Sequence, residues 1–113
     1  MVAPVFYDKN VSVLTAVVID SAAGGDIILK AATPGLVTKL YRILFVVGGS
    51  TSIMYKDGVT EISGPFPFTA GGGMVLDFLQ DPWYQTSLNS ALILNSSAAV
   101  QVSGTAWIVQ ASS

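Results

Sequence analysis

Short β-branched runs broken by glycine, proline and asparagine, with no long stretch that keeps a 3.6-residue apolar period, confine this chain to strands. Val11 to Ile19 is apolar and β-branched, and Ala22-Ala23-Gly24-Gly25 breaks it. Asp26 to Ala31 alternates, with Ile27, Leu29 and Ala31 on one face and Asp26 and Lys30 on the other. After the Pro34-Gly35 turn signal comes the strongest candidate, Lys39 to Val47. Tyr41, Ile43 and Phe45 would share one face and Leu40, Arg42 and Leu44 the other. Both faces are largely apolar, which predicts a central strand covered on both sides except near Arg42.

Gly48-Gly49-Ser50 turns the chain into Thr51–Lys56, and Asp57-Gly58 is a hairpin signal of type I′ that returns it along Val59–Ser63. Leu92 and Leu94 alternate with Ile93 and Asn95, and Asn95-Ser96-Ser97 turns. Val100, Val102, Ala106 and Ile108 would then share a face, with Gly104 among them as a packing relief or a bulge. Strands this short and this regularly punctuated predict an all-β, single-domain antiparallel β-sandwich, jelly-roll-like, of about eight strands. Residues 1–25 read as an N-terminal arm and first strand, and residues 26–113 as the sandwich, one structural domain overall.

The run GPFPFTAGGGMVLDF, Gly64 to Phe78, contains the one glycine cluster that resembles a phosphate cradle. A phosphate loop needs its glycines ahead of Lys-Ser/Thr and a helix, and a dinucleotide fingerprint needs spaced glycines between strand and helix. No lysine or arginine occurs from Glu61 to Ser113, and Met74, Leu76 and Phe78 alternate as a strand does. Pro65 and Pro67 remove two backbone donors and place Phe66 at an edge or crossover, with Phe66 and Phe68 pinning it to the core. Gly71 to Gly73 is read as the reversal before a strand.

Composition narrows function further. The chain has 113 residues, no histidine and no cysteine. That removes thiolate metal sites, disulfides, a Ser-His-Asp triad and the commonest neutral-pH base. The acids Asp77 and Asp81 do not define a glycosidase pair or a calcium loop, and acids of this kind serve turns and edges. The expectation is therefore no enzyme, with no catalytic, cofactor-binding or metal-binding residues to name and no cofactor. Charged residues are 11% of the chain, against roughly 25% in an ordinary domain, and hydrophobic residues are 51%. No apolar run approaches the ~18 residues of a spanning helix, so no membrane partner is expected. A net charge of −2 with five dispersed basic residues gives no nucleic-acid footprint. The segment from Lys9 to Ala23 loosely resembles a signal peptide, but Asp8 and Asp20 flank its apolar part, and an extended arm or first strand is expected instead.

A surface so short of charge predicts burial against sister copies or a larger assembly. Candidate interface residues are Val2, Pro4, Val5, Phe6 and Tyr7 in the apolar arm, which would add to a neighbour's sheet edge or fold back, and Trp107 beside Thr105 and Val109. Trp83 and Tyr84, after the Asp81-Pro82 turn, are candidates either for a ligand platform or for a core or subunit contact.

The run KLYRILFVV, the junction SGPFPFTAGGG, the turn DPWYQT and the segment NSSAAVQVSG together resemble small jelly-roll or β-sandwich virion proteins of tailed bacteriophages, found as capsid decoration (cement) proteins and in fibre or tail attachments. The resemblance covers Asp26 to Gln110. It implies a virion structural protein without catalytic residues, a homo-oligomer with a trimer favoured, bound to a major capsid protein or another virion protein. The alternative it leaves is a fibre- or tail-associated carbohydrate- or receptor-binding module using Trp83 and Tyr84.

Overall fold

A computed structural model describes residues 14–77 and 81–112. Ten strands run along them: β1 (Thr15–Ser21), β2 (Gly25–Lys30), β3 (Val37–Val47), β4 (Thr51–Asp57), β5 (Thr60–Glu61), β6 (Phe66–Phe68), β7 (Gly73–Leu76), β8 (Tyr84–Gln85), β9 (Leu92–Ser96) and β10 (Val102–Ala111). There is no helix among the described residues. One sheet has the order β1-β10-β3-β7, with β8 also on β3, and the other β2-β9-β4-β5, with β6 also on β4. All pairs are antiparallel.

Two of the edges are interrupted strands. β5 and β6 pair different ends of β4, and β7 and β8 pair different ends of β3. Counted that way the chain makes eight paths, ordered first-eighth-third-sixth in one sheet and second-seventh-fourth-fifth in the other, which is the jelly-roll arrangement. The predicted β-sandwich is therefore the fold. β1 is part of it, since all seven of its residues pair with β10.

Apolar side chains from both sheets fill the space between them. Ile19, Leu40, Ile43, Phe45, Val47, Val102, Ala106 and Ile108 come from the β1 sheet, and Leu29, Ile53, Tyr55, Leu92 and Leu94 from the other. Aromatic rings tie the layers together. Phe45 meets Phe68 edge-on at 5.6 Å, and Tyr55 stacks on Tyr84 at 4.4 Å and meets Phe66 edge-on. Pro65-Phe66-Pro67 thus lies at an edge with its phenylalanines anchoring it, as the sequence predicts. At one end, buried hydroxyls satisfy one another: Thr51 Oγ1 and Ser96 Oγ are 2.8 Å apart, and Ser96 Oγ donates to the Ala98 carbonyl.

Three expectations need correction. Tyr41 does not share a face with Ile43. Trp107 pairs with Arg42 but Ile108 pairs with Leu40, so Tyr41 is an extra residue in a β-bulge and the alternation of β3 reverses there. Leu40 joins the interior, while Tyr41 packs with Val109, Ala111 and Leu14 on the outer side of the sheet. The hairpin after β4 turns at Gly58-Val59, and only Gly58 has positive φ (61°), the pattern of a II′ turn and not of I′. Finally, β3 is central but not covered on both sides throughout, because Leu44 and Val46 on its outer side are exposed.

Two carboxylates are tied into this frame. Asn95 Nδ2 donates to Asp26 Oδ1 at 2.7 Å and Lys56 Nζ at 3.1 Å; these hydrogen bonds, more than the charge of Lys56, hold the Asp26 carboxyl below its usual range. Burial opposes ionisation of Asp57, but the nearby Ser90 hydroxyl, the Ser87 N–H donating to Oδ2 at 3.0 Å and the Ser87 hydroxyl together outweigh it, and its pKa is also depressed. Both groups bind a proton more readily in the unfolded chain. Their contribution is therefore present above the ordinary Asp value of about 3.9 and is lost as pH falls through the lower folded values. The expected result is a drop in the urea midpoint between about pH 4 and pH 2, smaller in Asp57→Asn than in wild type. An Asp57→Asn variant with the wild-type pH dependence would remove Asp57 from this account.

Candidate functional site

The two outer faces of the sandwich differ in chemistry. On the β2-β9-β4 side, Asp26, Asn95 and Lys56 form a hydrogen-bonded polar cluster, and Ile28 is the exposed large apolar side chain beside it. On the β1-β10-β3-β7 side, the register aligns three rows. The middle row is Val18, Thr105, Leu44 and Val75, one residue from each strand. Beside it lie Asp20, Ser103, Val46 and Gly73 in one direction and Ala16, Trp107 and Arg42 in the other. Val18 is 78% exposed, Val75 65%, Val46 53% and Leu44 37%, so four large apolar side chains on one sheet face stand in water. An exposed apolar patch of this kind, in a chain with so little charge, is the most distinctive surface among the described residues.

The last row sets the character of one border. The Arg42 guanidinium lies over the Trp107 ring, 4.8 Å from its centroid, and its Nε is 3.5 Å from Asp77 Oδ1. Trp107 is half-buried, as a residue that already has one cover and a free flank. Its expected place on the outer face of the last strand is the observed one, but Arg42 of the same chain supplies part of the covering that a neighbouring subunit was expected to give. Val109, expected to share that exposed face, is instead buried with Tyr41 and Leu14.

Trp83 and Tyr84 are adjacent in sequence and separate in role. Tyr84 is packed against the interior, its ring stacked on Tyr55. Trp83 is 38% exposed, and its indole N–H donates to the Asp77 carbonyl across the gap between β7 and β8. The gap is closed on the other side by Trp83 N–H donating to the Leu40 carbonyl at 2.7 Å. The pair does not form a two-ring platform. Val2, Pro4, Val5, Phe6 and Tyr7 lie outside the described residues, as does Phe78.

Among the described residues no group of three or more carboxylates is placed to hold a metal ion. The hydroxyls of Thr51, Ser96 and Ser97 are paired with one another and with backbone, which is a structural use of serine and threonine. No local motif singles out Val18, Leu44, Val46 or Val75. The one signal is Leu40–Val47, where both alternating faces are apolar, a pattern that equally suits a doubly covered strand. The chain matches no protein-family model, no curated protein and no solved structure.

Proposed function

We propose that this chain is a non-enzymatic structural protein of a virus particle, a capsid decoration protein that stabilises the shell by burying its apolar sheet face. The observation that carries this reading is the row Val18, Leu44 and Val75 with Val46 beside it, four exposed apolar side chains gathered on one sheet face, where the opposite face exposes Ile28 beside the Asp26-Asn95-Lys56 cluster. A jelly roll alone fixes no function, since one fold serves many. What supports the reading is that the composition and the exposed row both call for a cover, and that the sequence resembles small jelly-roll proteins of tailed phages. Burying apolar surface contributes about 25 cal/mol per Å² before association costs, so a few hundred Å² per copy gives several kcal/mol. Many copies on one lattice then act together. The trimer that the resemblance implies and a major capsid protein as partner belong to the same proposal. The second reading, a carbohydrate- or receptor-binding module, is left with Trp83 as its one exposed ring.

The test is particle composition. Purified virions encoded by the same genome should carry the chain in many copies, and Val46→Lys should lower its occupancy at least tenfold with the fold unchanged by circular dichroism. A tenfold change corresponds to about 1.4 kcal/mol, well within the cost of burying a lysine in an apolar contact. Absence of the chain from particles, or full occupancy by Val46→Lys, would sink the proposal.

A further inference from the structure

We propose that β1 pairs edge to edge with β1 of a second copy, antiparallel about a two-fold axis at Val18, joining two β1-β10-β3-β7 sheets into one. A free strand edge is a template for another strand, and soluble proteins block such edges. Three of the four edges here are blocked. β2 begins at Gly25 with φ 75° and carries a register shift between Ile28 and Lys30. The β5/β6 edge is short and holds Pro65 and Pro67. The β7/β8 edge is broken between Leu76 and Tyr84, with Asp77 and Asp81 in the break. β1 alone is seven residues long, unbroken, without proline, lysine or register shift, and no described strand pairs with its outer edge.

The occupant follows from the pattern of the strand itself. In an antiparallel pair, residues opposite each other point to the same face, so a continuous two-copy sheet allows only registers that keep inner residues opposite inner residues. Among those, all seven residues of β1 are used only when Val18 faces Val18 of the other copy. Val17 then meets Ile19 on the inner face, and Ala16 meets Asp20 on the outer one. No like charges face each other, and each Asp20 carboxylate brings its own partner, accepting from Gln101 Nε2 at 2.7 Å. The exposed Val18 side chains cover one another, and the row Val75, Leu44, Thr105, Val18 continues into the same row of the second copy in reverse order. The contact does not depend on any shell and operates in solution.

Light scattering coupled to gel filtration, at micromolar concentration, reads the result directly. Wild type is expected at twice the 11.8 kDa chain mass, or at six chains where the two-fold contact joins two trimers. Val18→Lys sets two ammonium groups opposite each other and should halve that mass. Because Val18 is 78% exposed in the single chain, circular dichroism should stay that of wild type, and melting should lose only the concentration-dependent part that pairing adds. Val75→Lys, at the far side of the same face, should keep the wild-type mass. The chain has no cysteine, so Val18→Cys should cross-link through a short thiol-reactive linker and Val75→Cys should not. A wild-type single-chain or three-chain mass, or equal dissociation by Val75→Lys, would overturn the proposal. These readouts use no particles, so failure here and failure of the shell reading are separate results.

Discussion

Gly104→Ala is expected to cost about 3 kcal/mol or more, a large part of the usual ~5–15 kcal/mol margin of a folded domain. Gly104 lies on the inner side of β10, opposite Phe45 of β3 and Ile19 of β1. A methyl group there would fall on the Leu44 carbonyl oxygen, a backbone atom held by the sheet. β10 has a strand on each side, so it cannot retreat without breaking one of them. Gly73 provides the comparison. A methyl there would meet the Phe45 carbonyl oxygen equally closely, but β7 is a four-residue edge and can shift outward. Gly73→Ala should therefore cost less than Gly104→Ala. Urea denaturation of the three proteins checks the order, and a Gly104→Ala loss under about 1 kcal/mol would show that the sheet accommodates the methyl.

Tyr55→Ala is expected to cost about 3–5 kcal/mol, the usual range for emptying a buried aromatic site. Tyr55 is fully buried, stacks on Tyr84 and meets Phe66 edge-on, so its ring joins both sheets. Its hydroxyl reaches Met74 Sδ at 3.3 Å, a weak acceptor. Tyr55→Phe should thus cost about 1 kcal/mol or less. The phenol also sets an alkaline limit. Burial, and secondarily the neighbouring Tyr84, raises its pKa well above the ordinary tyrosine value. With the folded value raised, stability is complete below the unfolded pKa of about 10 and declines as pH rises past it, because the unfolded chain ionises first. Denaturation midpoints should fall above about pH 10, and less steeply in Tyr55→Phe. Equal slopes would remove Tyr55 as the cause.

Both predictions turn on features that pattern reading only half exposes. The strands, the edge position of Pro65-Phe66-Pro67 and the reversal at Gly71 (φ 84°) follow from local chemistry, so the sequence carries them. Tyr41 could not be placed that way. Its face depends on a bulge created where β10 meets β3, and that register lies in no local segment. At Gly104 the sequence leaves packing relief and a bulge open; the close approach of the Leu44 carbonyl makes it the first, and the bulge lies three residues on, between Trp107 and Ile108. Tyr84 and Trp83 show the same limit. Adjacent aromatics look alike in a sequence, and only the pairing of β8 with β3 turns one toward Tyr55 and leaves the other at the surface. The apolar outer face is the converse case, since each of its residues is unremarkable alone and becomes a patch through cross-strand alignment.

The position of β10 bears on how the molecule is made. It is the last strand in the described chain, yet it lies inside its sheet, between β1 and β3. Among the described residues, β1 has no hydrogen-bonding neighbour in its own chain until residues 102–108 have left the ribosome. The same holds for β2, which waits for β9. Pairs such as β4–β5 and β4–β6 can form early, but completing both sheets needs contacts that span nearly the whole described chain, a topology expected to fold in milliseconds to seconds. During synthesis the valine-rich β1 strand stays exposed, so expression yield should depend on temperature and on chaperone supply more than the finished protein's stability would suggest.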